Sequence, residues 1–359
     1  MQLGILKEQQ DRRVAIVPKG CQQLIGLGVD ILLERGAGES ANFADADYPE
    51  GVNVQDRTTV LRQADVLVSI HPLSLAELDQ LTAGTLVVAL FQPFRDEAIT
   101  GELSKRKLRA ASLDMIPRTT LAQSMDILSS MASIAGYRAV LLAANTIPRY
   151  FPMLITAAGS VKPSRVLVLG AGVAGLQAIA TAKRLGATVE AFDVRAAARE
   201  EVLSLGAKFV EVEGATEDTS AGGYAVAQSE DFLARQRQAV QQSAAKADVV
   251  ITTAQVRGGK APVLVSAETV RLMKPGSVIV DLAASTGGNC ELTANDDIVV
   301  ENGVIIIGDS NLAASMPQDA STLFSNNLIN FLKLFIKEGQ VDIDAENEIL
   351  RSAFITTEA

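Results

Sequence analysis

Gly170, Gly172 and Gly175 stand in the run VLVLGAGVAGLQAIATAKRLGATVEAFD, directly after an apolar strand-like stretch and at the start of a helix-like one. The spacing G-x-G-x-x-G is that of a pyrophosphate-binding turn. Its first glycine permits the tight turn, its second lets the backbone approach the phosphates, and its third allows close helix–strand packing. A helix beginning there offers unpaired N–H groups and the positive end of its dipole to an anion. The second strand ends at Asp193, inside the roughly 20-residue spacing expected of an acid that accepts from an adenosine ribose. Strand, glycines, helix, strand and acid agree, so the segment reads as a dinucleotide site rather than a packing turn. A carboxylate accepts from a free 2′-hydroxyl and repels a 2′-phosphate, which favours NAD over NADP. Arg195 works the other way, because a guanidinium accepts that phosphate; the carboxylate carries the greater weight.

A second constellation lies in PRTTLAQSMDILS, where Arg118, Gln123, Asp126 and Ser129 gather a cation, an amide, a carboxylate and a hydroxyl. Arg118 can clamp a carboxamide or a phosphate, Asp126 can accept from a carboxamide N–H₂, and Gln123 can bridge to a second ligand. The same residues also suit an ordinary polar helix start with a cap, and both readings stand at this point. Two glycine runs are excluded as nucleotide turns. Arg35-Gly36-Ala37-Gly38 leads into the turn-rich NFADADYPEG, not a helix, and Gly258-Gly259-Lys260 lacks the spacing and the Ser/Thr of a P-loop. His71 is the single histidine. It follows a strand-like stretch, where it is either an exposed loop residue or a cleft residue able to take a proton.

The elements that must hold these residues follow from periodicity. Strand-like runs are expected at 2–5, 14–17, 29–34, 65–70, 85–91 and 108–113, with helices at 18–27 and 96–107. A helix over 119–145, capped by Thr119 or Thr120, connects this region to a second α/β unit. There, strands are expected at 165–169, 187–192, 208–212, 248–252, 277–282 and 303–307. A last amphipathic helix, 319–338, returns to the first region. The predicted fold is α/β: two Rossmann-like domains with mainly parallel sheets, joined by long helices, with a cleft between them. The first domain is discontinuous, 1–127 plus 312–359, and the Rossmann domain is 128–311.

The chain has 359 residues and a net charge of −10, with two cysteines and one histidine. That excludes a disulfide framework and argues against a Cys/His metal site. An acidic chain without Lys/Arg blocks is a poor nucleic-acid binder. No run reaches the ~18 consecutive apolar residues of a membrane span, and the N-terminus lacks a signal-like apolar core. The expectation is a cytoplasmic protein that inserts in no membrane itself and reaches one only through a partner.

Arg118–Gln123–Asp126 followed by LSSMASIAGYRAV resembles the Arg-Gln-Asp loop of domain I of proton-translocating transhydrogenases. The likeness extends over nearly the whole chain: TAAGSVKPSRVLVLGAGVAGLQAIATAKRLGA, AFDVRAA, Ser220-Ala-Gly-Gly-Tyr224, Ile251-Thr-Thr-Ala254 and VDLAASTGGNCELT are all similar to that family. The resemblance implies that Arg118, Asp126 and Ser129 hold the nicotinamide end of NAD(H), and that Gln123 reaches NADP(H) on a partner subunit. It implies adenosine and pyrophosphate contacts at Val173, Asp193, Val194 and Arg195, and further nucleotide-lining positions at Gly223, Gln236 and Gln255. It also implies a mobile loop over 214–227 whose Tyr224 closes on the nucleotide; the Gly and Ser content there independently suggests a flexible surface loop. Partners implied are a second copy of the chain, an NADP-binding subunit and a membrane-spanning subunit that couples hydride transfer to proton movement. The end at Ala359 resembles the form of the family split across separate subunits, lying at the inner membrane through its partners.

Alanine dehydrogenase shares the fold and is the principal alternative. That family uses a Lys and a His in the first domain and an Asp before a Gly-Gly pair. The matching positions here are His71, Phe91 and Ser285, all departures, and Asp281 is assigned no role in chemistry. A non-catalytic NAD-sensing module is the remaining alternative. Hydride exchange between two nicotinamides needs no proton transfer, which is compatible with a chain so poor in histidine.

Overall fold

The computed structural model describes residues 1–195, 197–212, 229–256 and 258–356. The chain divides into two compact units, Met1–Met131 with Ala313–Ala359, and Ala132–Leu312.

The first unit is built on strands β1 (Gln2–Ile5), β2 (Asp30–Glu34), β3 (Val52–Gln55), β4 (Val66–Val68), β5 (Leu86–Ala89) and β6 (Arg109–Ser112). They run parallel in the order β3-β2-β1-β4-β5-β6. Every residue of β4 and β5 is buried, as continuous apolar runs covered on both faces must be. β3 escapes the sequence reading because it is an edge strand with mixed, half-buried residues.

Two expectations fail here. Val14–Val17 is buried as predicted but pairs with no strand. Its N–H groups are served by side chains instead: Val14 donates to Ser321 Oγ (2.9 Å) and Val17 to Ser325 Oγ (3.2 Å). Both serines are fully buried on helix Pro317–Leu332. That helix ends at Leu332, short of position 338; the chain then forms the short hairpin Ile336–Lys337/Gln340–Val341, turned by Glu338 and Gly339 at positive φ (48° and 69°).

The second unit opens on the hairpin β7 (Leu154–Thr156) and β8 (Gly159–Val161). Its sheet comprises β9 (Arg165–Leu169), β10 (Thr188–Phe192), β11 (Lys208–Phe209), β12 (Val249–Thr252), β13 (Val278–Asp281), β14 (Asp297–Glu301) and β15 (Val304–Gly308). The order is β11-β10-β9-β12-β13-β15-β14, parallel except for β14. β14 falls outside the expected strands: as a half-exposed antiparallel edge its apolar signal is diluted. Both units are thus the doubly wound parallel sheets that strand–helix alternation predicts, with strand order reversing between β1 and β4 and between β9 and β12, where such folds take ligands.

Helix Ile127–Thr146 is long and apolar enough to cross a membrane by length and composition, with mean hydropathy 1.5. Its apolar residues are used in packing: Ile127 lies in the core of the first unit, and Ala139, Val140 and Ala143 lie in that of the second. Gly136 is required on this helix, since a Cβ there would meet the Ala174 carbonyl oxygen at 2.0 Å.

Among the described residues, Thr252 Oγ1 is the buried side-chain atom without a hydrogen-bond partner. A hydroxyl in that state carries its desolvation cost uncompensated, on the order of 1–3 kcal/mol. Thr252→Val keeps the shape and removes the hydroxyl. It is expected to stabilise the chain by about 1 kcal/mol, and calorimetry showing an unchanged or lower Tm would contradict this.

Candidate functional site

The glycine turn follows β9 and caps helix Val173–Arg184. Gly170 takes φ +97°, open to glycine alone without strain. A Cβ on Gly175 would lie 1.8 Å from the Gly170 carbonyl oxygen, so the third glycine is demanded by the turn itself. Gly172 differs. Its backbone is ordinarily extended (φ −77°, ψ −167°), and a Cβ there would meet nothing within 4 Å. Among the described residues no steric contact asks for glycine at 172, whereas a pyrophosphate resting on the backbone would.

Asp193 closes the turn from the end of β10. Its Oδ2 accepts from the Ala171 N–H (2.7 Å) and its Oδ1 from the Arg195 N–H (2.8 Å). The Arg195 guanidinium binds both oxygens, Nε to Oδ1 at 3.0 Å and Nη2 to Oδ2 at 3.1 Å. The hydrogen bond to Asp193 raises the Arg195 pKa above its ordinary value, against the opposing effect of burial. Val173 and Val194 are 44% and 59% exposed on either side of the turn, an uncovered apolar surface where a ribose or base would pack.

From β12, Thr253 Oγ1 donates to the Gly170 carbonyl (3.0 Å), joining the next loop to the turn. In that loop Gln255 is exposed, its Nε2 bonded to the Leu282 carbonyl (2.9 Å). Asn289, fully buried, braces the loop: its Oδ1 accepts from the Ala254 N–H (3.0 Å), and its Nδ2 lies 2.8 Å from both the Ala254 and Pro262 carbonyls. Sequence reading assigns no role to Thr253 or Asn289, because neither belongs to a periodic pattern. Gln236 sits half-buried midway along helix Glu230–Lys246. Gly223, Tyr224 and the loop 214–227 lie outside the described residues.

The second constellation gathers in the first unit. Arg118, Gln123, Asp126 and Ser129 line one concavity of about 430 Å³. The single helix expected over 119–145 is broken there: a 3-10 turn, Thr120–Met125, precedes helix Ile127–Thr146. Asp126, not a threonine, caps the helix. Its Oδ1 accepts from the Ser129 N–H (2.9 Å) and its Oδ2 from Ser129 Oγ (2.6 Å). The capping reading is therefore realised, and a carboxylate with about four lone-pair sites can still accept from a ligand. Arg118 is 70% exposed, with Nε 3.9 Å from Asp126, and so stays available to an anion or carboxamide. Gln123 is exposed on the turn, whose buried anchors are Ala122 and Met125.

Two other groups are engaged in contacts within their own units. The buried Asp281 carboxylate accepts from the N–H groups of Ala283, Asn289 and Cys290 and from Thr293 Oγ1, organising the loop after β13. His71 Nε2 lies 2.8 Å from Asp11 Oδ2, in a cluster with Arg13. Where amino-acid dehydrogenase chemistry would want an acid or base, Phe91 is buried, its N–H bonded to Ser112 Oγ.

These features define a two-unit dinucleotide-binding α/β protein. Residues 4–135 match the family described as alanine dehydrogenase/PNT, N-terminal domain, and 139–359 match its C-terminal domain; the chain belongs to this family. It is 45% identical over 343 residues to an NAD(P) transhydrogenase subunit alpha chain of Rhodospirillum rubrum, covering 92% of this chain and 89% of that one. The solved structure of transhydrogenase from Sinorhizobium meliloti superimposes with a TM-score of 0.91 at 38% identity, covering 99% and 98% of the two chains. Alanine dehydrogenase of Halomonas elongata is more distant, 26% identical over 350 residues, 94% of this chain and 88% of that one. Within the family, the chain resembles the transhydrogenase alpha subunits more than the alanine dehydrogenases, in sequence and in structure.

Proposed function

We propose that the chain binds NAD(H) and passes hydride directly to NADP⁺ held on a partner subunit. The observation that carries nucleotide binding is Gly172: an open position in a turn whose other two glycines the fold itself requires. Asp193 favours NAD(H), since its carboxylate repels a 2′-phosphate and Arg195 is already bound to both its oxygens. Val173, Val194 and Gln255 extend this surface, and Gln236, Gly223 and Tyr224 complete the proposed set on the family's pattern. Arg118, Asp126 and Ser129 take the nicotinamide end: the guanidinium and the capped carboxylate offer a donor and an acceptor to a carboxamide. Gln123 reaches toward the second nucleotide.

The nucleotides supply the chemistry. NADH gives up one hydride, a proton with two electrons, to NADP⁺, leaving NAD⁺ and NADPH. No proton is exchanged with the protein in this reaction, and at two of the positions where the amino-acid dehydrogenases carry an acid or base this chain has Phe91 and Ser285. The relatives named as subunits support a place in a larger complex; in this reading its partners carry NADP(H) and span the membrane, with proton movement coupled there, and a second copy of this chain stands beside them.

The test is hydride transfer from NADH to an NADP analogue, with and without a purified NADP-binding partner. Activity only with both is expected. NADH formation from alanine and NAD⁺ by this chain alone would move the assignment to the amino-acid dehydrogenases. Gln123→Asn, one methylene shorter, is expected to cut transfer by at least about tenfold, since an error of ~1 Å costs up to ~10². Its NADH binding, followed by fluorescence, is expected to stay at the wild-type level; equal turnover of the two forms would remove Gln123 from the site.

A further inference from the structure

The turn that carries Gln123 is anchored by Ala122 and Met125 on its buried side. A 3-10 turn has poorer hydrogen-bond geometry than an α-helix, and Gln123 and Ser124 are both exposed. Its backbone is fixed from behind by helix Pro317–Leu332. Asn327 Nδ2 donates to the Ser124 carbonyl at 2.8 Å, and Asn330 Nδ2 approaches the same oxygen at 3.1 Å. At the other end of its amide, Asn327 Oδ1 accepts from Ser130 Oγ at 2.7 Å, in the first turn of helix Ile127–Thr146. Asn327 is 8% exposed. A carbonyl oxygen only accepts, so the amide can face Ser124 only with its nitrogen, and both ends of the side chain are committed. One buried amide thus links the turn bearing Gln123 to the helix start bearing Asp126 and Ser129.

We propose that Asn327 is a positioning residue for hydride transfer. It touches no nucleotide. It holds the Ser124 carbonyl, and through it Gln123, in fixed register with Asp126 and Ser129. The inference rests on the functional reading above. Hydride transfer is sensitive to placement, and an error of ~1 Å originating away from the chemistry can cost ~10² in rate.

Asn327→Asp separates the two bonds, because a carboxylate still accepts from Ser130 but cannot donate to Ser124. The experiment uses the full chain with its NADP-binding partner, measuring transfer to an NADP analogue from NADH and from NADH deuterated at the transferred position. The expected result for Asn327→Asp is a kcat lower by about 10- to 100-fold, unchanged NADH binding and a larger deuterium isotope effect, as transfer itself becomes limiting. Ser130→Ala, which spares the Ser124 bond, is expected to show a much smaller loss. A purely structural role would lower Tm and the active fraction while leaving the isotope effect as in the wild type. If Asn327→Asp does not fold, Asn327→Ala takes its place with the same expectations. Wild-type turnover and isotope effect in a folded variant would overturn the proposal while leaving the functional reading intact. A wild-type chain that moves no hydride with its partner would sink both.

Discussion

Gly175→Ala is expected to abolish NADH binding and to lower Tm strongly, whereas Gly172→Ala is expected to weaken NADH binding with only a small loss of Tm. The two positions lie in one turn, yet the physics differs. A methyl on Gly175 would sit 1.8 Å from the Gly170 carbonyl oxygen, which is backbone and cannot swing aside. The helix must move off β9, and overpacking of this kind costs typically about 1–3 kcal/mol. The same movement carries the helix N-terminus away from the place where a pyrophosphate would rest. At Gly172 a methyl meets no atom of the described residues within 4 Å; alanine is a poorer helix N-cap than glycine, which costs the folded state no more than about 1 kcal/mol, and the larger effect falls on a ligand approaching the backbone. Calorimetry with NADH titration distinguishes the two. If Gly172→Ala bound NADH as the wild type does, the turn would not be carrying the pyrophosphate.

Asp11→Ala is expected to destabilise the first unit by about 3–5 kcal/mol. Arg13 is 4% exposed, and Asp11, whose side chain is fully buried, is its ion-pair partner and also accepts from its backbone N–H (2.9 Å). Removing the carboxylate takes away the counter-charge and the hydrogen-bond acceptors that Asp11 supplies to a buried guanidinium. Burial alone would raise the Asp11 pKa, but the hydrogen bonds from His71 and Arg13 outweigh it and hold the group well below its ordinary 3.8. A depressed folded-state pKa places the stabilisation above the unfolded value, to be lost as pH falls below about 4. Nearby Glu8 goes the other way: burial raises its pKa despite hydrogen bonds from the Ile70 and His71 N–H groups, so its ionisation costs stability as pH rises past its ordinary 4.5. Urea unfolding across pH is the measurement. The wild-type advantage over Asp11→Ala should be full at about pH 7 and shrink steadily below about pH 4. A variant as stable as the wild type at neutral pH would show that the cluster contributes nothing.

Much of this molecule is legible before folding because the signals are local. Strand, glycine turn, helix and Asp193 lie within one short stretch, and their spacing carries the reading. The continuous apolar runs of β4, β5, β9 and β12 announce strands buried on both faces. The failures are non-local. Val14–Val17 looks like a strand and is buried like one, but its N–H groups are met by Ser321 and Ser325, which lie 307 and 308 positions from the residues they serve. Asn327 reaches Ser124 and Ser130 across 203 and 197 positions. No periodicity spans such distances.

What the sequence determined by itself was the class of fold, the dinucleotide fingerprint and the polar set Arg118–Gln123–Asp126–Ser129, since residue type and short-range spacing suffice for each. What only the tertiary structure decided was how each group is used. It separated Gly175, closed by a backbone oxygen, from Gly172, open to a ligand. It made Asp126 a helix cap with lone pairs to spare and tied Arg195 to Asp193. It also set Asn327 behind the turn that carries Gln123. These are matters of distance between atoms far apart in the chain, and only packing fixes such distances.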